Sequence, residues 1–322
     1  MRNPAMPTAI SRRRALQLMG VAGAWPFARA WAASPEKPLT FLAVGDWGRD
    51  GAFHQAEVAA QMGETAAQVG AKFVIAVGDN FYEDGVASVS DPKWKTSFED
   101  VYTAPSLQVP WYVALGNHDY HGEPQAQVDY GKTSPRWRMP QRSYRFAETS
   151  PAGVTVETFV LDTTPLIPAY KVHPWLGPKL AGQGDPTAQL AWLDSALGAS
   201  KANWKIVVGH HPIWAGDNSH AGNEGHAGSP ELVAQLDPIL IRHGVHLYLN
   251  GHDHELQHTQ RGAQHYVCTG AGSKMEAECD TAGTDLCSLQ SGFVACAATR
   301  ATLQVAYRDY QGNELKVVDI PA

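Results

Sequence analysis

The chain has 322 residues, 44% of them hydrophobic, which is enough for one large domain with a sizeable core. Its formal net charge is −7. Residues 1–30 supply five Arg and no Asp or Glu, so the remainder carries 20 basic against 32 acidic residues. An acidic body of this kind excludes nucleic acid and anionic lipid as main partners, because both attract basic surfaces. A small anion can still bind if positive charge is local, as on a metal ion.

In chain order, the first feature is an address. Ser11-Arg12-Arg13-Arg14-Ala15-Leu16-Gln17 resembles a twin-arginine export signal. Ala15 to Phe27 is weakly apolar and too short to span a bilayer, and Ala28-Arg29-Ala30 and Ala30-Trp31-Ala32 both offer A-x-A cleavage. Residues 1–33 are therefore expected to be a signal peptide and 34–322 a single domain, periplasmic or secreted, with no membrane anchor.

Five apolar runs follow, each ending in Gly and then Asp, Asn or His. They are TFLAVGD (40–46), KFVIAVGDNFYEDG (72–85), VPWYVALGNHD (109–119), WKIVVGHHP (204–212) and VHLYLNGHDH (245–254). Uninterrupted apolar runs of this length read as strands covered on both faces. Between them, 53–69 and 187–197 have helical spacing, closed by Gly70 and opened by Thr187 respectively. Residues 91–102 and 231–243 also read as helices, the first capped by Asp91 with Pro92 behind it. Residues 143–147 and 155–162 alternate as strands, and 292–320 as three antiparallel strands turning at Gln311-Gly312-Asn313. Residues 120–140, 165–184 and 215–228 are irregular, and a long loop in a compact domain is usually functional or disordered.

In open α/β sheets, ligands bind outside the carboxyl ends of the strands. The five strand ends therefore aim oxygen and nitrogen donors at one crevice, read here as a binuclear metal site. Asp46 and Asp79 end neighbouring strands, and one of them can bridge two ions. His252 and His254 share a face if their segment is extended, with Asp253 turned away. By the same parity only one of His210 and His211 can join. Asn117 offers a neutral oxygen. With no Cys among these donors, the set points to iron, manganese, zinc or magnesium. Tyr82 fits a trivalent ion, which can hold a phenol as phenolate. Two Asp, one phenolate and one hydroxide against +5 would leave a net positive site that attracts phosphate.

Taken together, GDWG (45–48), GDNFY (78–82), GNHD (116–119), GHHPIW (209–214) and GHDH (251–254) resemble, in order, the motifs of the purple acid phosphatases, most closely the tartrate-resistant type. SPRWRMPQRSYRF (134–146) and AQLAWL (188–193) are also family-like, and the resemblance covers about residues 39–320. It implies an α/β (α+β) metallophosphoesterase catalytic domain, a two-sheet β-sandwich flanked by helices, with the binuclear centre at strand C-terminal ends. It implies Fe(III) held by Asp46, Asp79, Tyr82 and His254, and a divalent Fe, Zn or Mn held by Asp79, Asn117, His210 and His252. It further implies hydrolysis of phosphate monoesters by a metal-bound hydroxide, with an acidic optimum. His118 is placed against the substrate. His220 is the second substrate histidine, although its distance from His210 is one residue longer than the family's, which leaves His226 as the substitute. The expected partner is a small phosphate ester, the expected state a monomer or weak oligomer.

Two other functions fit the same residues: a phosphodiesterase or nucleotide hydrolase of the same superfamily, and a non-catalytic periplasmic phosphate- or metal-binding protein. The four Cys (268, 279, 287 and 296) crowd one late segment. In an oxidising compartment they are expected to pair, with Cys279–Cys287 nested inside Cys268–Cys296; the spacings lack the CxxC of a zinc site.

Overall fold

Strand β1 (Leu39–Val44) is buried along its whole length, which is why its sequence is apolar without alternation. It lies at the centre of the first of two sheets in a computed structural model that describes residues 36–181, 185–222, 224–279 and 281–322 of the chain. Residues 1–33, read above as a signal, fall outside these. The first sheet runs β14 (Glu314–Pro321), β13 (Thr302–Asp309), β12 (Gly292–Ala298), β1, β2 (Val74–Ala76), β3 (Trp111–Val113), β4 (Trp137–Arg138). β1 to β4 are mutually parallel, and β12 turns antiparallel to β1 to start the C-terminal meander.

The second sheet runs β11 (Thr284–Ser288), β9 (Leu256–Arg261), β10 (Gln264–Thr269), β8 (Leu247–Asn250), β7 (Trp204–Val208), β6 (Thr155–Val160), β5 (Tyr144–Thr149). Strands β6, β7, β8 and β10 are parallel, with β5, β9 and β11 antiparallel at the flanks. This is the expected two-sheet domain with flanking helices, and the ligand-bearing strands fall three in the first sheet and two in the second.

Helix α1 (Gln55–Val69) is closed by Gly70 in the left-handed conformation, its N–H reaching Ala66 O. Helix α2 (Pro124–Tyr130) lies inside the stretch expected to be irregular. In the 165–184 stretch, the described residues form α3 (Pro168–Val172) and α4 (Leu176–Leu180). Helix α5 (Ala188–Ala199) precedes β7 as expected.

Two helices differ from the sequence reading. Asp91 does cap its segment, accepting from Lys93 N at 2.9 Å, but the turn that follows is π-helical over Trp94–Glu99. The stretch 231–243 is two helices, α6 (Pro230–Gln235) and α7 (Asp237–Arg242). Pro238 has no N–H to continue the ladder, and the Asp237 carboxylate leaves the helix to take Trp214 Nε1–H at 3.1 Å.

The cysteines divide differently too. Cys279 and Cys287 form a disulfide, while Cys268 and Cys296 are free and buried. Cys268 sits on β10 and Cys296 on β12, in different sheets, and the expected outer pair is not formed.

Trp47 locks the β1 loop to the first sheet. It is fully buried, with ring centroids of Phe81, Phe98, Tyr102, Trp111 and Trp137 between 5.3 and 6.4 Å away. Trp47→Ala is expected to cost about 3–5 kcal/mol, measured as a lower denaturant midpoint with an unchanged slope; a loss below about 1 kcal/mol would show that the cluster does not hold the loop.

Candidate metal centre

The carboxyl ends of β1, β2, β3, β7 and β8 meet at one edge. Backbone bonds stitch them: Asp46 N–H to Gly78 O at 3.1 Å, Gly251 N–H to His210 O at 3.0 Å, and, across the sheets, Gly45 N–H to Thr269 O at 2.9 Å. The side chains that follow converge. Tyr82 Oη is 2.8 Å from Asp46 Oδ1, 2.9 Å from Asp79 Oδ2 and 2.8 Å from His254 Nε2. His210 Nε2 is 3.4 Å from Asp79 Oδ2, 3.2 Å from Asn117 Oδ1 and 3.3 Å from His252 Nδ1. All seven residues named as ligands from sequence thus stand in one cluster.

The outward-facing atoms of these groups are already engaged. Asp46 Oδ2 accepts from His252 N at 3.1 Å, and Asp79 Oδ1 from His118 N at 2.8 Å. His252 Nε2 faces Glu224 O at 3.1 Å and His210 Nδ1 faces Val77 O at 3.1 Å. A carbonyl only accepts, so those nitrogens carry the ring protons and His252 Nδ1 and His210 Nε2 turn lone pairs inward. Two carboxylate oxygens, a phenol and an amide oxygen complete the same concavity. Asp46, Asp79 and His210 are at most 1% exposed, and buried anions of this kind need a cation.

The electrostatics agree. Burial opposes charge on His210, yet the Asp79 and Asp46 carboxylates outweigh it and raise its pKa to about 9. Burial pushes the Tyr82 phenol up, and Asp46 and Asp79 push it further, so the protein side chains alone keep it protonated. Burial also lowers His252, helped by His226, His211 and His210, which leaves its ring neutral. The cluster therefore takes positive charge either as a proton on His210 or as bound metal, and metal loading should release protons. Oxygen and imidazole donors of this kind fit hard or borderline cations.

Three of the cluster's residues carry backbone strain. Asp46, Asp79 and His252 have φ of 59°, 48° and 73°, a left-handed conformation costing a non-glycine residue about 1–2 kcal/mol. Two glycines make room: a Cβ on Gly116 would lie 2.2 Å from Asp79 Oδ1, and one on Gly251 2.2 Å from Asp46 Oδ2. The Gly in these motifs is where the neighbouring carboxylate passes.

Comparison with known proteins matches this arrangement. Residues 39–256 fit the calcineurin-like phosphoesterase family. Purple acid phosphatase 4 of Arabidopsis thaliana is 37% identical over 298 residues, covering 88% of this chain and 84% of that protein. The chain belongs to the purple acid phosphatases. Tartrate-resistant acid phosphatase type 5 of Oryctolagus cuniculus is 39% identical, over 76% of each chain. The solved purple acid phosphatase PPD1 from yellow lupin seeds superposes with a TM-score of 0.64 at 16% identity, covering 89% of this chain and 54% of that one, and shares its fold. Membership implies a binuclear, iron-containing centre for the purple acid phosphatase described here.

Beside the cluster lies a cleft of about 260 Å³, lined by Arg49, Asn117, His118, His226, His254 and Lys274 among others. His118 Nδ1 donates to Glu83 O at 2.6 Å, which leaves Nε2 as its remaining donor or acceptor. His220 and His226 separate: His220 is exposed and outside the cleft lining, whereas His226 stacks on His252 at 4.0 Å and bonds Asp253 Oδ1 at 3.0 Å. The extended segment expected at 251–254 is a turn, since β8 stops at Asn250 and His252 is left-handed; both histidines still reach the cluster. His211 bonds Thr163 Oγ1 and Tyr170 Oη, a supporting position behind His252.

The sequence reading missed a buried brace. Asp119 accepts from Asn80 N at 3.1 Å, Gly116 N at 2.9 Å and Gln127 Nε2 at 2.7 Å, tying the β2 and β3 loops together. The only signal available was the Asp of GNHD. Burial, then the Asp79 charge, lift its pKa to about 7. Gly116→Ala is expected to displace Asp79 and strip metal from a chain whose far-ultraviolet circular dichroism is unchanged. Full metal content in that variant would mean that the crowding is relieved elsewhere.

Proposed function

We propose that Asp46, Asp79, Tyr82 and His254 hold Fe(III), that Asp79, Asn117, His210 and His252 hold a divalent Fe, Zn or Mn, and that the loaded enzyme is an exported acid phosphatase. As a purple acid phosphatase it hydrolyses phosphate monoesters at a binuclear centre. The observation that carries the ligand division is Asp79 Oδ2, 2.9 Å from Tyr82 Oη and 3.4 Å from His210 Nε2. One carboxylate oxygen faces both halves of the donor set.

When bound, the metal pair supplies polarisation of the phosphoryl oxygens and activation of water. The chain's own residues do the rest. Arg49 and Lys274 line the cleft together with Glu83 and Glu276, so the side chains flanking the donor set leave attraction of phosphate to the bound metal charge. Glu83 O fixes the His118 ring, so its Nε2 is the atom able to hand a proton to the leaving oxygen. His226, fixed by Asp253, is favoured over His220 as the second substrate histidine. Histidines that are not ligands yet line the cleft support turnover over simple phosphate or metal storage. Export rests on the Arg12-Arg13-Arg14 signal of the first 33 residues.

Three outcomes test this. Tyr82→Phe is expected to abolish visible charge-transfer absorption; an unchanged spectrum removes Tyr82 from the ferric set. His118→Ala is expected to lower kcat about 10²–10⁴-fold at full metal content, and activity lost only in proportion to metal would contradict its role. The wild-type enzyme should cleave a chromogenic monoester faster than the matching diester, and the reverse order would favour a phosphodiesterase.

A further inference from the structure

Arg49 follows the GDWG turn and is placed with care. Its backbone N–H donates to Gln55 Oε1 at 3.0 Å, and Gln55, itself buried, donates from Nε2 to Ser97 O at 2.8 Å. The guanidinium carbon then stands 3.7 Å from the centroid of the Tyr82 ring, with the Phe53 ring 5.7 Å away. One arm pairs with Glu83 Oε1. The side chain is only 7% exposed, and Nε is buried with no partner among the described residues. A guanidinium that leaves a donor unmet is held there by the ring face, a contact suited to its planar, weakly hydrated shape.

We propose that Arg49 is a positioning residue that acts through Tyr82, tuning how strongly the phenolate donates electrons to the ferric ion. This rests on the reading of Tyr82 as an iron ligand. A positive charge over the ring lowers the energy of the filled phenolate orbital. The guanidinium stands against the ring itself, 3.7 Å from its centroid, so its charge acts first on the donor orbital. Arg49 therefore widens the charge-transfer gap. It also weakens donation, which raises the iron's reduction potential. Glu83 neutralises part of this charge and works in the opposite sense.

The test uses iron-loaded, full-chain enzyme without substrate, with visible absorption normalised to iron content and the midpoint potential measured. Arg49→Gln is expected to move the absorption maximum to longer wavelength and lower the potential at unchanged iron per chain, with Arg49→Lys closer to wild type. Glu83 is 62% exposed, so Glu83→Gln is a mild change, and it is expected to move the maximum to shorter wavelength. An unmoved band in Arg49→Gln at full iron content overturns the inference. If that variant takes up no iron, an unmoved band in Glu83→Gln overturns it instead. An iron-loaded wild type with no visible band, or a Tyr82→Phe variant that keeps it, refutes the reading of Tyr82 and is thereby told apart from failure of Arg49. If Arg49→Gln, assayed separately on a phosphate monoester, raises KM while its substrate-free band stays put, Arg49 serves substrate phosphate alone and the inference is likewise overturned.

Discussion

Two buried carboxylates, each held from behind by a backbone amide, are the constraint on which the rest depends. Asp46 is gripped by the amide of His252 and Asp79 by the amide of His118. The first grip crosses from one sheet to the other, and the second crosses between two loops of the same sheet. In each, the remaining oxygen is turned inward. Neither anion is stable in an apolar interior without a partner cation, so the fold and the metal pair are coupled: the sheets build the cup, and the charge it receives offsets the burial.

The left-handed conformations at Asp46, Asp79 and His252 belong to the same logic. A relaxed backbone would let those side chains continue the strand pleat, one face or the other. The turned backbone instead swings them over the end of the sheet. The strain is sustained because the loops are fixed elsewhere, by the aromatic cluster around Trp47 and by the Asp119 brace.

How much of this the sequence reveals depends on whether the cause is local. Strand ends carrying Gly and then Asp, Asn or His are local, so the seven residues that gather at the sheet edge were legible, as were the central strands with their continuous apolar runs. Strands β9 and β10 were not. Gln257, His258, Thr259, Gln264 and His265 are all buried there, with contacts such as His258 Nε2 on His265 Nδ1 at 3.0 Å. Such segments show no hydrophobic alternation to read. Asp119 and Gln127 were hidden for a similar reason: their role exists only once two loops meet. The Cys268–Cys296 expectation failed because nearness in sequence does not put two sulfurs in bonding geometry once their strands join different sheets. His220 and His226 differ by six positions in a Gly-rich loop, and only the fold separates them.

One carbonyl has wider reach than its position suggests. Glu224 O receives both Tyr170 Oη, from α3, and His252 Nε2. Helix α3 and the loop carrying Glu224 are therefore joined to the His252 ring of the cluster through a single backbone atom. A shift of either segment would be felt at the His252 imidazole, so the position of that ring is set from two separate parts of the chain.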